Sequence, residues 1–403
     1  MQDNSYKVEV IDPGDRASRF AKEIGFLSHQ NNPAVIIVPH EPNNFRGPVG
    51  WLWRKDIQER MGYTENGDGI NWDIMEEMEN DGAGGKSQFF TLIGTREVFH
   101  NLGWEIIAMT ADDFARSGRL PIIICNELQA KRITERNFHL VEELFTGYGQ
   151  ALKESNLVNI TGEIAIMKHS ITAFCDTKVD DQLIVTWGAS CVGLASKELL
   201  LNPANIKPGM TIVGFEDPGY RCNGGTFFTN LILREFGPEI ERIINNPDAM
   251  DFVMKLTAPS KSYAKTVCRL VGWNSDGTPG EPLADIKGIA HITGGGLGKF
   301  QELLPAGVGA HLDYMPLPAE VLLEAQKMSQ KYPDLALTDE DCYRTIHGGC
   351  GMLLVVDGLN DCLKIIEEAR KDGIRAQRVG FTNDSGKLTV DSMFMRSDAR
   401  LTL

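Results

Sequence analysis

Long apolar runs are missing from this chain. The uninterrupted ones, such as Val35–Val38 and Pro121–Cys125, fall well short of the ~20 residues that a membrane-spanning helix needs. The opening segment MQDNSYKVEV also lacks a basic stretch followed by an apolar one, which is the pattern of a secretory signal. We therefore expect a soluble, cytoplasmic protein without a membrane partner.

Close spacings of cysteine and histidine are absent as well. Eight cysteines and eight histidines occur without a CxxC, CxxH or HExxH pattern, so neither a zinc site nor a disulfide framework is predicted. The sequence also offers no support for a Ser–His–Asp or Cys–His catalytic arrangement. Scattered single thiols are typical of a reducing cytosol, and we interpret all eight cysteines as buried free thiols.

Positive charge is scarce. Forty Lys and Arg stand against 55 Asp and Glu, which gives a formal net charge of −15. An acidic chain without a basic stripe repels a nucleic-acid backbone, so no nucleic-acid partner is expected. The same charge opposes anionic substrates at long range. Phosphate groups would have to be bound by backbone N–H groups, a few lysines and divalent cations.

The length of 403 residues predicts two domains. The segment Asn202–Pro208 (NPANIKP) is typical of a linker, which gives an N-terminal domain over residues 1–202 and a C-terminal domain over residues 203–403. Strands and helices alternate regularly in the second half, as in a layered α/β domain. The first half is also interpreted as α/β (α+β), with a less clear order.

Hydrophobic periodicity predicts the main elements. In the first half the predicted helices are Asp15–Gly25, Trp72–Glu79 and Thr134–Glu154, and the predicted strands are Trp104–Met109, Leu120–Cys125 and Gln182–Leu194. In the second half the predicted strands are Met210–Phe215, Gly288–Ile292 and Gly351–Val356, and the predicted helices are Thr226–Phe236, Ser262–Val271, Lys299–Leu304, Glu320–Lys331 and Leu359–Lys371.

Two glycine-rich segments are candidate phosphate loops. In His291–Gly298 (HITGGGLG) a strand runs into glycines and a helix follows, so that backbone N–H groups and the helix N-terminus could hold a phosphate. In Asp81–Lys86 (DGAGGK) a carboxylate suited to magnesium is joined to a lysine suited to phosphate oxygens. An ordinary strand–helix turn and a polar surface loop remain open as alternatives, because glycine runs are weak signatures. We expect His291 to be a hydrogen-bonded core residue.

Three carboxylates elsewhere are candidate cation ligands. Asp112 and Asp113 follow an apolar run, and Glu163 lies inside another. Carboxylates suit a divalent cation, and a buried glutamate needs a partner. A helix N-cap is the alternative for the aspartates, and a surface-facing strand position is the alternative for Glu163.

Two further turns could face a ligand. The segment Asp217–Gly225 runs from a strand through a Gly/Asn turn into a helix, and Asn223 offers both a donor and an acceptor there. His347 lies in a glycine-flanked turn. A plain strand–helix connection is the open alternative for the first of these turns.

The order of these motifs along nearly the whole chain resembles the aminoimidazole ribotide synthetase (phosphoribosylformylglycinamidine cyclo-ligase) family. The resemblance is strongest after residue 258, in Gly288–Phe300 (GIAHITGGGLGKF) and Tyr343–Val356 (YRTIHGGCGMLLVV). The other matching segments are Asn4–Lys7 with Ile11–Gly14 (family SYK…VDIDAG), Asp81–Lys86 (DGVGTK), Ile106–Asp113 (LVAMxVND), Thr161–Ala165 (GGETA), Glu216–Gly225 (GSSGxHSNGY) and Ala258–Tyr263 (APTRIY).

The departures from the family pattern fall at functional positions. The GGxGGF stretch has no clear equivalent, and Arg46–Trp51 is the nearest candidate. An aspartate replaces the asparagine of ND, and the first glycine and the threonine of GGET are replaced. Lys261 replaces the arginine of APTR, which removes a planar bidentate donor, and His347 replaces an asparagine.

The resemblance implies a two-domain PurM-like architecture, in which an N-terminal sheet domain binds ATP and metal and dimerises, and a layered α/β C-terminal domain carries the glycine-rich phosphate loop. It implies the ATP-dependent cyclisation of formylglycinamidine ribonucleotide to 5-aminoimidazole ribonucleotide, with ATP and Mg²⁺ as cofactors, by a homodimer. Two alternatives remain: another ATP-dependent enzyme of the superfamily with a different acceptor, and a catalytically silent nucleotide-binding paralogue that acts as a subunit.

The resemblance also implies site residues. The expected metal ligands are Asp81, Asp112, Asp113 and Glu163. The expected catalytic residues are Asp81, Lys86, Glu163 and His347. The expected nucleotide-binding residues are Asp12, Lys86, Asn223, Lys261, Thr293, Gly294, Gly295 and Gly296.

Overall fold

The computed structural model describes residues 12–38, 50–62, 73–177, 181–396 and 399–403. Within these ranges the α-helices are α1 Pro13–Ser28, α2 Lys55–Arg60, α3 Ser87–Ile93, α4 Arg96–Ala115, α5 Phe138–Glu154, α6 Gly225–Phe236, α7 Ile240–Ile244, α8 Pro247–Leu256, α9 Ala264–Val271, α10 Gly298–Leu303, α11 Glu320–Ser329, α12 Asp339–Thr345 and α13 Leu359–Lys371. None of the helices in these ranges is long and apolar enough to cross a membrane.

The strands form three sheets. They are β1 Val35–Val38, β2 Gly50–Trp53, β3 Ile74–Gly82, β4 Leu120–Ala130, β5 Val158–Ile166, β6 Val185–Ser196, β7 Thr211–Glu216, β8 Ile286–His291, β9 Gly309–Leu312, β10 Cys350–Val356, β11 Ala376–Asn383, β12 Leu388–Asp391 and β13 Arg400–Thr402. The strand orders are β1-β2, β3-β6-β4-β5 and β13-β12-β9-β11-β7-β10-β8.

Within the described residues, helices α4 and α5 cover one face of the four-stranded sheet. Helix α4 packs on β3 and β6, and α5 packs on α4. The two helices cross closely because residue 147 is a glycine: a Cβ there would overlap the His100 carbonyl oxygen. On the other face, alternate side chains of β3 are exposed within the described structure, and Met78 is 68% exposed. Antiparallel neighbours such as β3 and β6 tolerate such an open face.

The seven-stranded sheet is built from the second half of the chain. Its neighbours are antiparallel except for the parallel pair β9–β12. Strand β10 is buried along its whole length, α13 packs on β7 and β11, and α10 packs on β8. Helix α4 of the first half packs against α9 of the second. The α/β fold class is therefore confirmed, while the division into domains at residue 202 stays a prediction.

Two predicted elements are wrong. Trp104–Met109, predicted as a strand, lies inside helix α4. Because α4 is buried on nearly all sides, its apolar run carries no helical period and imitates a buried strand. Most of Trp72–Glu79, predicted as a helix, forms β3 instead, since pairing with β6 outweighs the helix propensity of its Met and Glu residues. Asp112 and Asp113 consequently lie near the end of a helix, not after a strand.

The other predicted elements agree with the structure to within a few residues at their ends. All eight cysteines are free thiols, seven of them buried and Cys125 partly buried. Residues 4–7 and 46–49 of the family-like segments lie outside the described residues.

Candidate functional site

Helix α4 carries two buried carboxylates toward the second half of the chain. Glu105 and Asp112 are both fully buried, and seven residues, or two helical turns, place them on one side of the helix. A buried carboxylate is costly unless donors surround it. The loops that follow β3, β7 and α8 provide those donors.

Lys86 is the cation that faces Glu105. Its Nζ lies 2.9 Å from Glu105 Oε1, 2.8 Å from the Ala258 carbonyl oxygen and 3.3 Å from Ser260 Oγ. All three ammonium donors are thus engaged inside the protein, and the side chain is fully buried. Contrary to the prediction that Lys86 meets phosphate, the structure holds it in the core; it would have to leave Glu105 to reach a ligand.

Arg221 is the cation that faces Asp112. Its two terminal nitrogens lie 2.8 Å from Asp112 Oδ2 and 2.8 Å from Asp217 Oδ2, and all three side chains are fully buried. Burial alone would raise the pKa of Asp217, but the charge of Arg221 brings that pKa below its ordinary value. Asp217 and Arg221 therefore form an ionised pair in the loop after β7. Burial raises the pKa of Asp112, although the charge of Arg221 opposes that rise, and the contact of Asp112 with Arg221 connects α4 to this loop.

The second oxygen of Asp112 begins helix α9. Asp112 Oδ1 accepts the backbone N–H groups of Tyr263 and Ala264, both at 2.7 Å. With Arg221 on its other oxygen, Asp112 is fully engaged within the protein. The structure therefore gives Asp112 a structural role in place of the predicted metal-binding one.

His291, at the end of β8, joins Arg221 to Asp113. Its Nε2 lies 2.7 Å from an Arg221 terminal nitrogen, and its Nδ1 lies 2.8 Å from Asp113 Oδ1. Burial opposes ionisation of Asp113, but the His291 hydrogen bond and the nearby cations bring its pKa below the ordinary value. Asp113 is therefore an ionised carboxylate whose side chain is 19% exposed.

Asp81 faces the same region from the end of β3. Burial raises the pKa of Asp81, the Gly82 N–H opposes that rise, and the negative charge of Asp113 adds to it. Two carboxylates that repel each other in a half-buried position favour a cation between them. This pair is the part of the predicted metal site that the structure brings together.

A cavity of about 330 Å³ lies at the N-terminus of α6. No side chain caps this helix; its N-cap residue is Gly224, at φ 85°. The first backbone N–H groups of α6 are therefore open to a ligand, and such N–H groups favour anions. The residues that line the cavity are Gly85, Gln88, Cys222, Asn223, Gly224, Gly225, Thr226 and Thr229.

A buried tyrosine hydroxyl lies beside this cavity. Tyr220 is fully buried, and within the described ranges its hydroxyl has no hydrogen-bond partner. A Cβ added to Gly225, one of the lining residues, would lie 2.7 Å from this hydroxyl. Because buried polar groups in proteins nearly always have a partner, the unpaired hydroxyl indicates a ligand or an ordered water here.

The glycine loop after β8 lies beside the turn that contains Asn223. A Cβ on Gly294 would lie 3.1 Å from Asn223 Oδ1, so the loop passes directly beside Asn223. Gly296 adopts φ 54°, and a Cβ there would overlap the Tyr343 carbonyl oxygen. Thr293 closes the turn by accepting the Gly296 N–H at 2.9 Å. The structure thus brings together Asn223 and the glycines that the sequence selected.

Glu163 is not part of this group. It is exposed on β5 and pairs across the sheet with Glu127, on the face opposite to α4 and α5. Asp81 lies on β3, three strand spacings or roughly 14 Å away, and on the opposite face. The predicted set of four metal ligands therefore does not form within one chain, and in the described structure no three His, Cys, Asp or Glu residues are grouped to hold a metal ion.

Three other predicted residues have local roles. Asp12 is exposed and caps α1 by accepting the Gly14 N–H at 2.8 Å. Lys261 is exposed, and its carbonyl oxygen accepts from Arg221 at 2.6 Å. His347 is buried between backbone groups: its Nε2 lies 2.9 Å from the Gly219 carbonyl oxygen, and its Nδ1 accepts the Gly349 N–H at 3.2 Å. Burial lowers the pKa of His347, so it is a neutral residue that fixes two loops instead of facing a ligand.

The sequence did not predict the buried ion pairs of Lys86 and Arg221. Glu105, Arg221 and Tyr220 were not singled out, although all three are buried there. Glu105 had a signal, since a glutamate inside the apolar run WEIIAM needs a partner if it is buried. Arg221 and Tyr220 had none, because a turn sequence does not reveal burial.

The described structure has a mixed α/β fold that is shared by solved proteins of the PurM-like fold. A thiamine-monophosphate kinase from Stenotrophomonas maltophilia K279a has the same fold with a TM-score of 0.55, at 13% identity over 96% of both chains. The hydrogenase maturation protein HypE of E. coli has a TM-score of 0.52, at 12% identity over 96% of both chains. At these identities the likeness concerns the fold alone.

Sequence comparison finds similarity to one group of named proteins. Residues 276–392 match the family described as AIR synthase related protein, C-terminal domain. The phosphoribosylformylglycinamidine cyclo-ligase of Methanocaldococcus jannaschii is 26% identical over 310 residues, which are 76% of this chain and 78% of that protein. The enzyme of the same name from Pyrococcus furiosus is 23% identical over 68% of this chain and 70% of that protein. The chain is therefore similar in sequence to phosphoribosylformylglycinamidine cyclo-ligases over about three quarters of its length, as the motifs predicted.

Proposed function

We propose that the protein is an ATP-dependent cyclo-ligase that converts formylglycinamidine ribonucleotide to 5-aminoimidazole ribonucleotide and releases ADP and phosphate. Similarity to proteins of that name extends over about three quarters of the chain. The main support for the proposal is that the cavity at the α6 N-terminus, which favours anions, lies near the carboxylates of Asp81 and Asp113. The segment from Asp81 to Gln88 begins at the carboxylates and ends in the wall of the cavity.

The residues present fit the two groups that this reaction requires. The open α6 N-terminus and the Gly294–Gly296 loop are suited to phosphate oxygens. Asp81 and Asp113 are suited to Mg²⁺, which commonly binds one or two carboxylates together with substrate phosphates. When bound, the ion would neutralise phosphate charge, a contribution that a chain of net charge −15 needs.

The protein residues have to position the reacting groups. Ring closure requires that the formamide oxygen become a leaving group and that the amidine nitrogen attack the same carbon. Holding these two ends together lowers the barrier by removing translational and rotational freedom. Backbone N–H groups at the cavity stabilise the charge that develops on phosphate oxygens without having to reorganise. The buried ion pairs at Lys86 and Arg221 keep these loops in place.

We further propose that the protein is a cytoplasmic homodimer that pairs through the open face of the four-stranded sheet. That face carries Met78, exposed by 68%, and the partly buried Val192 directly across the ladder. Covering it would remove apolar area from water. Glu163, which lies on the same face beside Glu127, would then lie in or next to the interface.

The test is an assay of purified protein with formylglycinamidine ribonucleotide and Mg-ATP, in which 5-aminoimidazole ribonucleotide and ADP are both quantified. Equal formation of the two products supports the cyclo-ligase. ADP formation without the imidazole product, or no turnover with a folded protein, contradicts it.

A second candidate is another ATP-dependent reaction of the superfamily on a different acceptor. It is favoured by the ionic group of Asp112, Asp217 and Arg221, which stands where the family motifs ND and GSSGxHSNGY have asparagine, serine and histidine. A panel of amide, carbamoyl and phosphate acceptors, each assayed for ADP release, separates it from the cyclo-ligase. A catalytically silent subunit would bind Mg-ATP, visible as a thermal shift, and release no ADP with any acceptor.

A further inference from the structure

Arg221 has no access to a ligand. It is fully buried, and its terminal nitrogens donate to groups of the protein. Two aspartates would suffice to neutralise it. One of its N–H groups is nevertheless directed at a neutral acceptor, His291 Nε2, at 2.7 Å. The carbonyl oxygens of Lys261 and Ala108 also accept from Arg221, but the contact with His291 is the one that leads from the buried ion pairs toward the carboxylate pair of the proposed site.

The contact fixes the tautomer of His291. A guanidinium group can only donate hydrogen bonds, so Nε2 must accept. A proton on Nε2 would place two donors against each other at 2.7 Å. The ring proton of the neutral imidazole therefore lies on Nδ1, where it is donated to Asp113 Oδ1 at 2.8 Å. Which nitrogen of a histidine is protonated is commonly set by the partner of the other nitrogen.

Asp113 depends on this hydrogen bond for its orientation. Its other partner is Arg116, 3.4 Å away and one turn along the same helix, on a side chain that is 43% exposed. An exposed pair of this kind orients a carboxylate weakly. The Nδ1–H of His291, which is itself buried, is the rigid contact, and it leaves Asp113 Oδ2 available for a cation shared with Asp81.

We propose that Arg221 and His291 are positioning residues: Arg221 sets the tautomer of His291, and His291 aims Asp113 at the cation site. The inference rests on the proposed function of the Asp81–Asp113 pair. Neither residue touches the substrate. Groups that orient a metal-binding carboxylate or histidine in this manner commonly contribute about 10- to 100-fold in metal affinity.

The first test is the tautomer itself, read from the imidazole ¹⁵N shifts of the full-length protein at pH 7. We expect a protonated Nδ1 and an unprotonated Nε2 for His291. The chain contains a matched control in His347, which is also buried but has the opposite pattern, with Nε2 facing the Gly219 carbonyl oxygen and Nδ1 accepting the Gly349 N–H. Protonation of His291 on Nε2 would overturn the proposal.

The second test uses Mn²⁺ as a probe, with its binding followed by electron paramagnetic resonance. In His291→Asn the side-chain amide can replace Nδ1–H and still donate to Asp113, so we expect affinity within about 3-fold of wild type. In His291→Gln the amide lies near the Nε2 position and faces Arg221, so a loss of about 10- to 100-fold is expected. Circular dichroism and thermal melting verify that both variants are folded.

The outcomes separate this inference from the proposed function. Equal losses in the two variants, or no Mn²⁺ binding to the wild-type protein, would overturn the positioning role. Normal Mn²⁺ binding with the expected difference between Asn and Gln, but no imidazole product, would overturn the cyclo-ligase activity alone.

Discussion

Lys86 Nζ lies 2.9 Å from Glu105 Oε1, and neither side chain is exposed to solvent. The pair joins the loop after β3 to the middle of α4. It also lies against Ser260, whose backbone N–H and hydroxyl both donate to Glu105, at 3.0 and 2.7 Å. A sequence motif that resembles a phosphate-binding lysine thus contributes to the assembly of the two halves of the chain.

Removing one member of this pair will be costly. Lys86→Met leaves Glu105 buried without its cation, and we expect a loss of about 3–5 kcal/mol in the free energy of unfolding, measured with urea. The matched control is Lys55→Met, because Lys55 is 88% exposed and its Nζ lies 3.5 Å from Glu59, a pair expected to contribute less than about 1 kcal/mol. Equal losses in the two variants would contradict the buried ion pair.

We expect the Asp81 carboxylate to lower the free energy of unfolding at pH 7, although turnover requires it. Burial, and secondarily the charge of Asp113, raise the folded-state pKa of Asp81 above its unfolded value. The native state then binds the proton more tightly, so stability falls as the pH rises through the interval between the two pKa values and stays lower above it. Asp81→Asn should therefore raise the free energy of unfolding at pH 7, by about 0.5–2 kcal/mol, while Mg²⁺-dependent turnover is lost. Urea titrations between pH 4 and 7 measure this difference.

For Asp113 and Asp217 we expect the opposite pH dependence of the free energy of unfolding. Burial opposes ionisation of both, yet their neighbours bring both folded-state pKa values below the ordinary ones. Their contribution to stability is complete above the unfolded pKa, at about 4, and is lost as the pH falls through the folded pKa. Asp217→Asn should make the acid side of the stability curve less steep. An unchanged slope below pH 4 would contradict the ionised assignment.

Gly296 should not tolerate a side chain. Its φ of 54° is unfavourable for any other residue, and a Cβ would overlap the Tyr343 carbonyl oxygen. We expect Gly296→Ala to cost more than about 3 kcal/mol in thermal or urea unfolding. Gly298→Ala is the control, because a Cβ at Gly298 has no atom within 4 Å, and its effect should stay within about 0.5 kcal/mol.

The proposed dimer can be tested by one charge on the open sheet. Met78→Asp places a carboxylate on that face, in its edge strand β3, and we expect the dimer dissociation constant to rise at least about 10-fold, because an unpaired charge would be buried. Light scattering after gel filtration measures the mass. Met254→Asp, at a methionine 45% exposed on α8, serves as the control and should leave the mass unchanged.

The sequence predicted most of the fold because most elements have one buried side. α13 matches its predicted bounds, Leu359–Lys371, since an amphipathic pattern and Gly358 at its N-cap define it locally. α4 was mistaken for a strand because a helix buried on nearly all sides shows no period. β3 was mistaken for a helix because its pairing with β6 is a long-range contact that local propensity does not encode.

The candidate site could be predicted only in part. The glycines at 294–296 and Asn223 were predicted from local chemistry. A positive φ favours glycine, and the uncapped start of α6 follows a Gly/Asn turn, so both features are visible in the sequence. The partner of Lys86 could not be found in this manner. Its ion pair spans 19 residues and is formed by the fold, so a phosphate contact and a buried ion pair are indistinguishable from DGAGGK alone.

The most direct measurement of the central claim is the ratio of 5-aminoimidazole ribonucleotide to ADP formed from formylglycinamidine ribonucleotide and Mg-ATP, by the wild-type protein and by Asp113→Asn. We expect one imidazole product per ADP for the wild type, and a loss of both products together in the folded variant. Release of ADP without imidazole product by the wild type, or full activity of Asp113→Asn, would contradict this claim.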